Sequence, residues 1–145
     1  MPTPSAEDYL ERIYELIQQK GYARVIDIAS SLKVQSSSVT KMLQRLDSEQ
    51  LVKYEKYRGI TLTPQGEAIA KSVKNRHRQL EELLKILGVD EATIQKDVEG
   101  IEHHLSPRTL ECLRDLVSFL HEDPHALRAF QEHRRTRPPA PENSS

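Results

Sequence analysis

The spacing of apolar residues changes from a helical to a strand pattern within residues 36–62, which read SSSVTKMLQRLDSEQLVKYEKYRGITL. The first half has apolar residues at helical spacing after serines that suit a helix N-terminus: Val39, Met42, Leu43 and Leu46. The second half has two short β-branched and aromatic runs around a charged turn with a glycine, which is typical of a β-hairpin. The stretch therefore predicts a helix followed by a hairpin.

Two more helices are predicted before this stretch. Ser5 and Asp8 have the spacing of a capping box, so the first helix is predicted to begin at Ser5 and to end at Gly21. The second covers about residues 24–32. Three short helices followed by a charged hairpin are the element order of a winged helix-turn-helix. Residues 1–71 are therefore predicted to form a DNA-binding domain.

The rest of the chain is predicted to be helical. Thr63-Pro64 is a capping hydroxyl followed by proline, and it begins a long helix that ends near Gly88. A fifth helix is predicted from Asp90 to Leu105, and a sixth begins after Ser106. The predicted fold is mainly α: an N-terminal winged helix-turn-helix joined by a long helix to an α-helical metal-binding and dimerisation domain. The second domain is assigned to residues 72–123, and the tail at 124–145 is expected to be disordered.

Composition narrows the class of protein. The chain has 145 residues, 37% of them hydrophobic, and no apolar run approaches the roughly 18 residues of a membrane span. Its N-terminus lacks the layout of a secretory signal. Cys112 is the one cysteine, which excludes a disulfide framework and a thiolate-rich metal cage. A soluble cytoplasmic protein is expected.

Charge is unevenly distributed along the chain. Residues 33–58 have a net charge of +3, whereas residues 88–125 have a net charge of −6 and hold four of the six histidines. The basic stretch predicts a polyanion as one partner, and the acidic stretch a cation as another. The third helix and the hairpin are predicted to contact double-stranded DNA. The predicted contact residues are Gln35, Ser36, Ser37, Ser38, Thr40, Lys41, Lys56, Tyr57 and Arg58. A winged helix that binds only protein remains open at this point.

A second group of residues suggests metal binding. On a helix, Glu99, Glu102 and His103 would share one face at positions i, i+3 and i+4, where two carboxylates repel each other unless a cation neutralises them. Asp8 and Glu11 have the i, i+3 spacing on the first helix, and His77 lies in the middle of the fourth. Each also has an ordinary explanation as a capping acid, a surface charge or a core histidine.

Four motifs resemble one family. They are PSAEDYLE (residues 4–11), SSVTKM (37–42), YEKYRG (54–59) and VEGIEHHL (98–105). They are similar to the diphtheria-toxin-repressor family of metal-dependent transcriptional regulators, over about residues 3–123, and within it to the manganese transport regulator branch. Iron-responsive relatives have methionine in place of Asp8 and cysteine in place of Glu99. Longer relatives continue into a small β-barrel domain, which this chain is expected to lack.

The resemblance implies a metal site and a mode of action. It implies a site for a pair of Mn²⁺ ions held by Asp8, Glu11, His77, Glu99, Glu102 and His103. Carboxylate-rich sites with some imidazole independently suit Mn²⁺. Mn²⁺ is then expected to act as corepressor of a homodimer on operator DNA, with manganese-uptake genes as targets. Apolar helix surface in the second half also predicts a dimer: Leu80, Leu83, Leu84, Leu87, Leu110, Leu113, Val117 and Leu120.

Two alternatives to this function remain. A winged-helix regulator could respond to another divalent metal or to an organic ligand. A carboxylate-bridged metal pair could also belong to an enzyme, but such bundles repeat a Glu-x-x-His motif on two helices, and this chain does not. The sequence therefore predicts a regulator and not an enzyme.

Overall fold

The computed structural model describes residues 3–55 and 59–138. These residues form seven α-helices and one two-stranded antiparallel sheet, with the bounds α1 Pro4–Lys20, α2 Val25–Leu32, α3 Ser36–Ser48, β1 Val52–Glu55, β2 Gly59–Leu62, α4 Pro64–Ile86, α5 Glu91–Ile101, α6 Pro107–Glu122 and α7 Pro124–Thr136. The chain divides into two compact units, Met1–Arg78 and Gln79–Ser145. Within the described ranges, every helix is too short or too polar to cross a membrane.

The first unit is the predicted winged helix-turn-helix. Helices α1, α2 and α3 contribute to one apolar core whose fully buried members include Leu10, Ile13, Ile28, Leu43 and Leu46. The strands β1 and β2 pair in a single register, from Val52 opposite Leu62 to Glu55 opposite Gly59. Burying these side chains stabilises the unit by about 1.5–3 kcal/mol each. Three helices and a hairpin thus share one core, as the element order predicted.

The first and third helices begin differently from the prediction. Thr3 is the N-cap of α1, and its hydroxyl accepts a hydrogen bond from the Ala6 N–H at 3.2 Å. The predicted Ser5–Asp8 capping box is therefore wrong. Gln35 is the N-cap of α3 and makes no capping bond with its side chain, so the predicted serine cap is also wrong. Its extended backbone already puts the serines inside the first helical turn.

Helix α4 is confirmed and holds a close contact with the chain that precedes the hairpin. The Thr63 hydroxyl accepts from the Gly66 N–H at 3.1 Å and donates to the backbone carbonyl of Leu51 at 3.1 Å. A Cβ at Gly66 would lie 1.9 Å from that same carbonyl oxygen. The helix therefore needs a glycine here so that it can approach the backbone of Leu51.

The second unit has a smaller core. Leu80, Ile94 and Val98 are its most buried residues. Asp90 caps α5 by accepting from the Thr93 N–H at 3.0 Å, and hydrogen bonds from Thr93 lower the pKa of this carboxyl. Ser106 caps α6 in the same way. Both caps were predicted from the sequence.

Helix α5 ends earlier than predicted. It stops at Ile101 rather than at Leu105, and the His104 N–H donates to the Ile101 carbonyl at 2.9 Å in the turn that follows. Two local causes favour this stop. Gly100 lowers the helix propensity of the last turn. Ser106 must be extended, because it caps α6 and precedes Pro107.

A seventh helix occupies much of the segment expected to be disordered. The Asp123 carboxylate accepts from the N–H groups of His125 and Ala126, both at 3.1 Å, and Pro124 is in the first turn. The prediction of disorder from residue 124 is therefore wrong for residues 124–136. The physical reason is the same cap-then-proline start that the sequence shows at Thr63 and Ser106.

Candidate functional site

The first unit contributes three of the predicted metal ligands. Asp8 and Glu11 are half-buried on α1, beside the core-facing Tyr9 and Leu10. Because Thr3 caps this helix, Asp8 is not needed as a capping acid. His77 is half-buried on α4, and a ring nitrogen of His77 lies within 4.8 Å of a carboxylate oxygen of Glu11. The structure therefore brings a carboxylate from α1 and an imidazole from α4 together.

Neighbouring contacts hold α1 and α4 in this arrangement. Arg76 donates to the Glu7 carboxylate at 2.5 Å, and both side chains are 15% exposed. Two turns further along α1, the Lys74 ammonium lies 5.6 Å from the centre of the Tyr14 ring. A shielded ion pair and a cation–π contact act on the same two helices. They fix the register in which Glu11 meets His77.

The second unit contributes a buried carboxylate. Glu102 is 1% exposed, and it is the one charged residue in the described ranges that is buried. The Nε2 atom of His103 lies 3.3 Å from its Oε1 atom. A buried carboxylate is costly unless positive charge or hydrogen bonds compensate it. Glu102 and His103 therefore form the kind of donor pair that a cation would stabilise.

Glu99 is placed apart from this pair. It is exposed on the last turn of α5, whereas Glu102 and His103 lie in the turn after the helix. The predicted sharing of one face stays a prediction, because α5 ends at Ile101 but the Glu102 N–H still donates to the Val98 carbonyl at 3.0 Å, as it would within a helix. Among the described side chains, Glu99 belongs to no set of three metal-ligating atoms that lie within 4.8 Å of one another.

The donor chemistry fits a hard divalent cation. The converging donors are carboxylate oxygens and imidazole nitrogens, which suit Mn²⁺ better than soft metals. The one cysteine, Cys112, is exposed on α6. The Glu-x-x-His spacing of di-metal bundles occurs once, at Glu122 and His125, and the break between α6 and α7 separates the two residues.

The predicted DNA contacts of α3 are on the protein surface. Gln35, Ser36, Ser37, Ser38 and Lys41 are exposed, and Thr40 is half-buried with its hydroxyl donating to the Ser36 carbonyl at 3.1 Å. The predicted hairpin contacts Lys56, Tyr57 and Arg58 lie outside the described residues. The first turn of α3 thus presents small hydrogen-bonding side chains and one cation, as a base-reading helix requires.

Sequence reasoning missed two residues near this surface. Gln44 is exposed on α3 one turn after Thr40, and the two line a cleft with Tyr54 of β1. Asp47, also on α3, accepts a hydrogen bond from the Tyr54 N–H at 2.9 Å, so it fastens β1 to the helix. The i+4 spacing from Thr40 was a signal for Gln44. No local pattern pairs Asp47 with a strand.

Comparisons with known proteins match both halves of the chain. Residues 1–60 match the N-terminal DNA-binding domain of the iron-dependent repressors, and residues 63–131 match their metal-binding and dimerisation domain. The chain is 53% identical to the HTH-type transcriptional regulator MntR of Geobacillus kaustophilus, over 91% of this chain and 94% of that protein. It is also 53% identical to the MntR regulator of Listeria innocua, over 95% of this chain and 97% of that protein.

Solved structures are similar over the same region. The manganese regulator SloR superposes with a TM-score of 0.71 and 32% identity, covering 81% of this chain and 55% of SloR. A manganese-dependent transcriptional repressor in complex with manganese superposes with a TM-score of 0.68 and 27% identity, covering 83% of this chain and 56% of that protein. The chain thus spans a little over half the length of these two solved proteins.

Proposed function

This chain belongs to the iron-dependent repressor family, and on that premise we propose that it is a manganese-responsive, DNA-binding transcriptional repressor. It binds Mn²⁺, operator DNA and a second copy of itself. The main structural support for the metal response is the buried carboxylate of Glu102 beside His103. A side chain that is costly to bury without a cation is suited to report whether the cation is present.

The proposed ligands come from both compact units. They are Asp8, Glu11, His77, Glu99, Glu102 and His103. These six side chains offer enough donor groups for a pair of ions. A bound divalent cation would supply the positive charge that lets these carboxylates share one site. Glu99 has to move toward the others to take part, since it is exposed at the end of α5.

Ligation from both units couples the metal to DNA binding. Asp8 and Glu11 move with α3, the recognition helix, because α1 and α3 share one core. Glu102 and His103 belong to the unit that matches a dimerisation domain. Shared ligation restricts the arrangements of the two units, so the two recognition helices of a dimer adopt the spacing of two half-sites. Without the bound metal, repulsion between the carboxylates favours other arrangements of the two units.

The biological setting follows from this mechanism. A repressor that binds DNA when Mn²⁺ is plentiful is suited to control manganese-uptake genes, and it acts in the cytoplasm, where the operator is. No catalytic activity is needed for this role. A response to another divalent metal is the second candidate, because intrinsic affinity for oxygen and nitrogen donors favours zinc and copper over manganese.

Calorimetric titration of the chelator-stripped protein with Mn²⁺ tests the metal site. We expect saturation near two ions per chain, and loss of binding in Glu99→Ala/Glu102→Ala. The matched control is Asp97→Ala/Glu111→Ala, which removes two exposed acids of the same unit and should bind as the parent does. No binding by the parent, or equal binding by the first variant, would refute the site.

The single variants separate the two glutamates. Glu102→Ala should abolish metal-dependent binding of operator DNA, since Glu102 is the buried donor. Glu99→Cys should shift the DNA-binding response toward iron or cobalt, because a thiolate favours softer metals. A response of Glu99→Cys identical to the parent's would exclude Glu99 from the ligand set and favour a different signal.

A further inference from the structure

The second unit is divided in charge. Residues 79–123 carry a formal net charge of −7, whereas residues 124–138 have four arginines and one acid, Glu132, for a net charge of +3. The metal site uses the acidic part. Nothing in the proposed function uses the basic part, which is α7 and the two residues after it.

The basic residues gather at the end of α7. Ala126, Leu127 and Phe130 are half-buried along α7, which packs on α6 through the first part of its length. Every described residue after Phe130 is exposed, and Arg134 and Arg137 are among these exposed residues. The helix therefore projects its charged end beyond the part that the core needs.

Several of these cations lack a partner. Arg135 is paired with Glu132 at 2.7 Å. Arg134 and Arg137, by contrast, have no carboxylate partner within the described ranges, nor does Lys85 at the end of α4. Lys85, Arg134 and Arg135 line one cleft of about 330 Å³ between the ends of α4 and α7. We call these four side chains, Lys85, Arg134, Arg135 and Arg137, the α7 basic patch.

The arginines of the α7 basic patch lie beyond the matched metal-binding and dimerisation domain, whereas Lys85 lies inside it. The match to the metal-binding and dimerisation domain stops at residue 131, three residues before Arg134. The arginines of the patch are therefore outside the segment that the family shares for binding metal and for dimerising.

We propose that the α7 basic patch contacts the phosphate backbone of the operator duplex and adds to the contacts made by the winged helix-turn-helix. The proposal rests on the proposed function, because it needs a chain that binds operator DNA. A duplex carries about one negative charge per 1.7 Å of its axis. Once α3 holds the operator, this dense anion is kept at high effective concentration near the rest of the same molecule. An acidic protein surface has no such advantage.

The salt dependence of operator binding tests the proposal. Dissociation constants are measured by fluorescence anisotropy at saturating Mn²⁺ between about 0.05 and 0.3 M salt, for the full chain. We compare Arg134→Gln/Arg137→Gln with Lys96→Gln/Arg114→Gln. The second variant removes two exposed cations of the same unit outside α7, neither of which has a carboxylate partner among the described residues. It controls for total charge.

Phosphate contacts have a defined slope in this measurement. The slope of log K against log salt is negative, and each lost contact reduces its magnitude by about 0.9. Four substituted side chains in a dimer should therefore reduce that magnitude by about 2 to 4 and weaken binding by about 100-fold or more near 0.1 M salt, while the control keeps the slope of the parent.

Each outcome bears on a different claim. Equal slopes for the parent and Arg134→Gln/Arg137→Gln would overturn the proposal and leave an acidic protein as the partner of the patch. An equal drop in the control would also overturn it, because net charge would then explain the effect. A parent that binds no DNA with Mn²⁺ would instead refute the proposed function itself. Calorimetric Mn²⁺ binding by both variants checks that they are folded.

Discussion

At the scale of single residues, a few carboxylates have functions that their neighbours define. Glu102 is buried beside His103, Glu7 pairs with Arg76, and Asp47 accepts from a strand N–H. The same side-chain chemistry therefore provides a candidate ligand, a brace between two helices and a fastening for the hairpin. Burial and the nearest donor separate these roles.

Asp47 offers a direct test at this scale. We expect Asp47→Ala to lower the free energy of unfolding by about 1 kcal/mol, because the Tyr54 N–H loses its acceptor, and to weaken operator binding several-fold. Asp47→Asn keeps an acceptor oxygen and removes the same charge, so it should be closer to the parent in both respects. Chemical denaturation and fluorescence anisotropy measure the two effects. Equal behaviour of the two variants would mean that the hydrogen bond does not hold the hairpin.

At the scale of elements, caps and glycines determine where helices begin, end and meet. Asp90, Ser106 and Asp123 each cap the helix that follows, and two of these helices have proline in the first turn. Gly66 allows α4 to approach the Leu51 carbonyl. Gly100 occupies the last turn of α5 and has open space around the position of a Cβ. A close backbone contact therefore requires glycine at position 66, whereas no neighbouring atom requires glycine at position 100.

Alanine at these two glycines should have opposite effects on stability. Gly66→Ala places a methyl group against the Leu51 carbonyl and should destabilise the protein by about 1–3 kcal/mol. Gly100→Ala meets no atom and should stabilise it by about 0.5–1 kcal/mol through higher helix propensity. Thermal and denaturant unfolding compare the two. A neutral Gly66→Ala would contradict the close approach.

At the scale of the whole molecule, apolar surface is left over after each chain has folded. Leu80, Val117 and Leu120 were predicted to supply the dimer surface, but they are at most 8% exposed and serve the core of the unit. Leu116 and Phe119 of α6 are 45% and 53% exposed. Because the chain is a homodimer, this exposed pair is the better candidate for its interface.

Sedimentation tests that assignment. Leu116→Ser/Phe119→Ser should weaken dimerisation at least about 100-fold, since each buried apolar side chain contributes about 1.5–3 kcal/mol. The protein should then be monomeric at micromolar concentration with Mn²⁺, and should bind a two-half-site operator weakly. Ile26→Ser, which changes a 69% exposed isoleucine of the first unit, should remain dimeric. A dimeric double variant would place the interface elsewhere.

The sequence by itself determined the element types and the chemistry of the donors. Helical periodicity, cap-then-proline pairs and the change to a strand repeat depend on residues close in the chain, so the winged helix-turn-helix and the long α4 were predictable. The pairing of carboxylates with histidines, and the absence of a second cysteine, were equally visible. Even α7 had a readable signal at Asp123-Pro124.

Only the tertiary structure decided which of these residues meet. Packing between α1 and α4 put Glu11 beside His77. Burial of Glu102, the bond from Tyr54 to Asp47 and the choice of apolar residues left on the surface also depend on distant parts of the chain. Spacing fixes a side chain on its own element, whereas its solvent exposure and its partners are set by the elements packed around it.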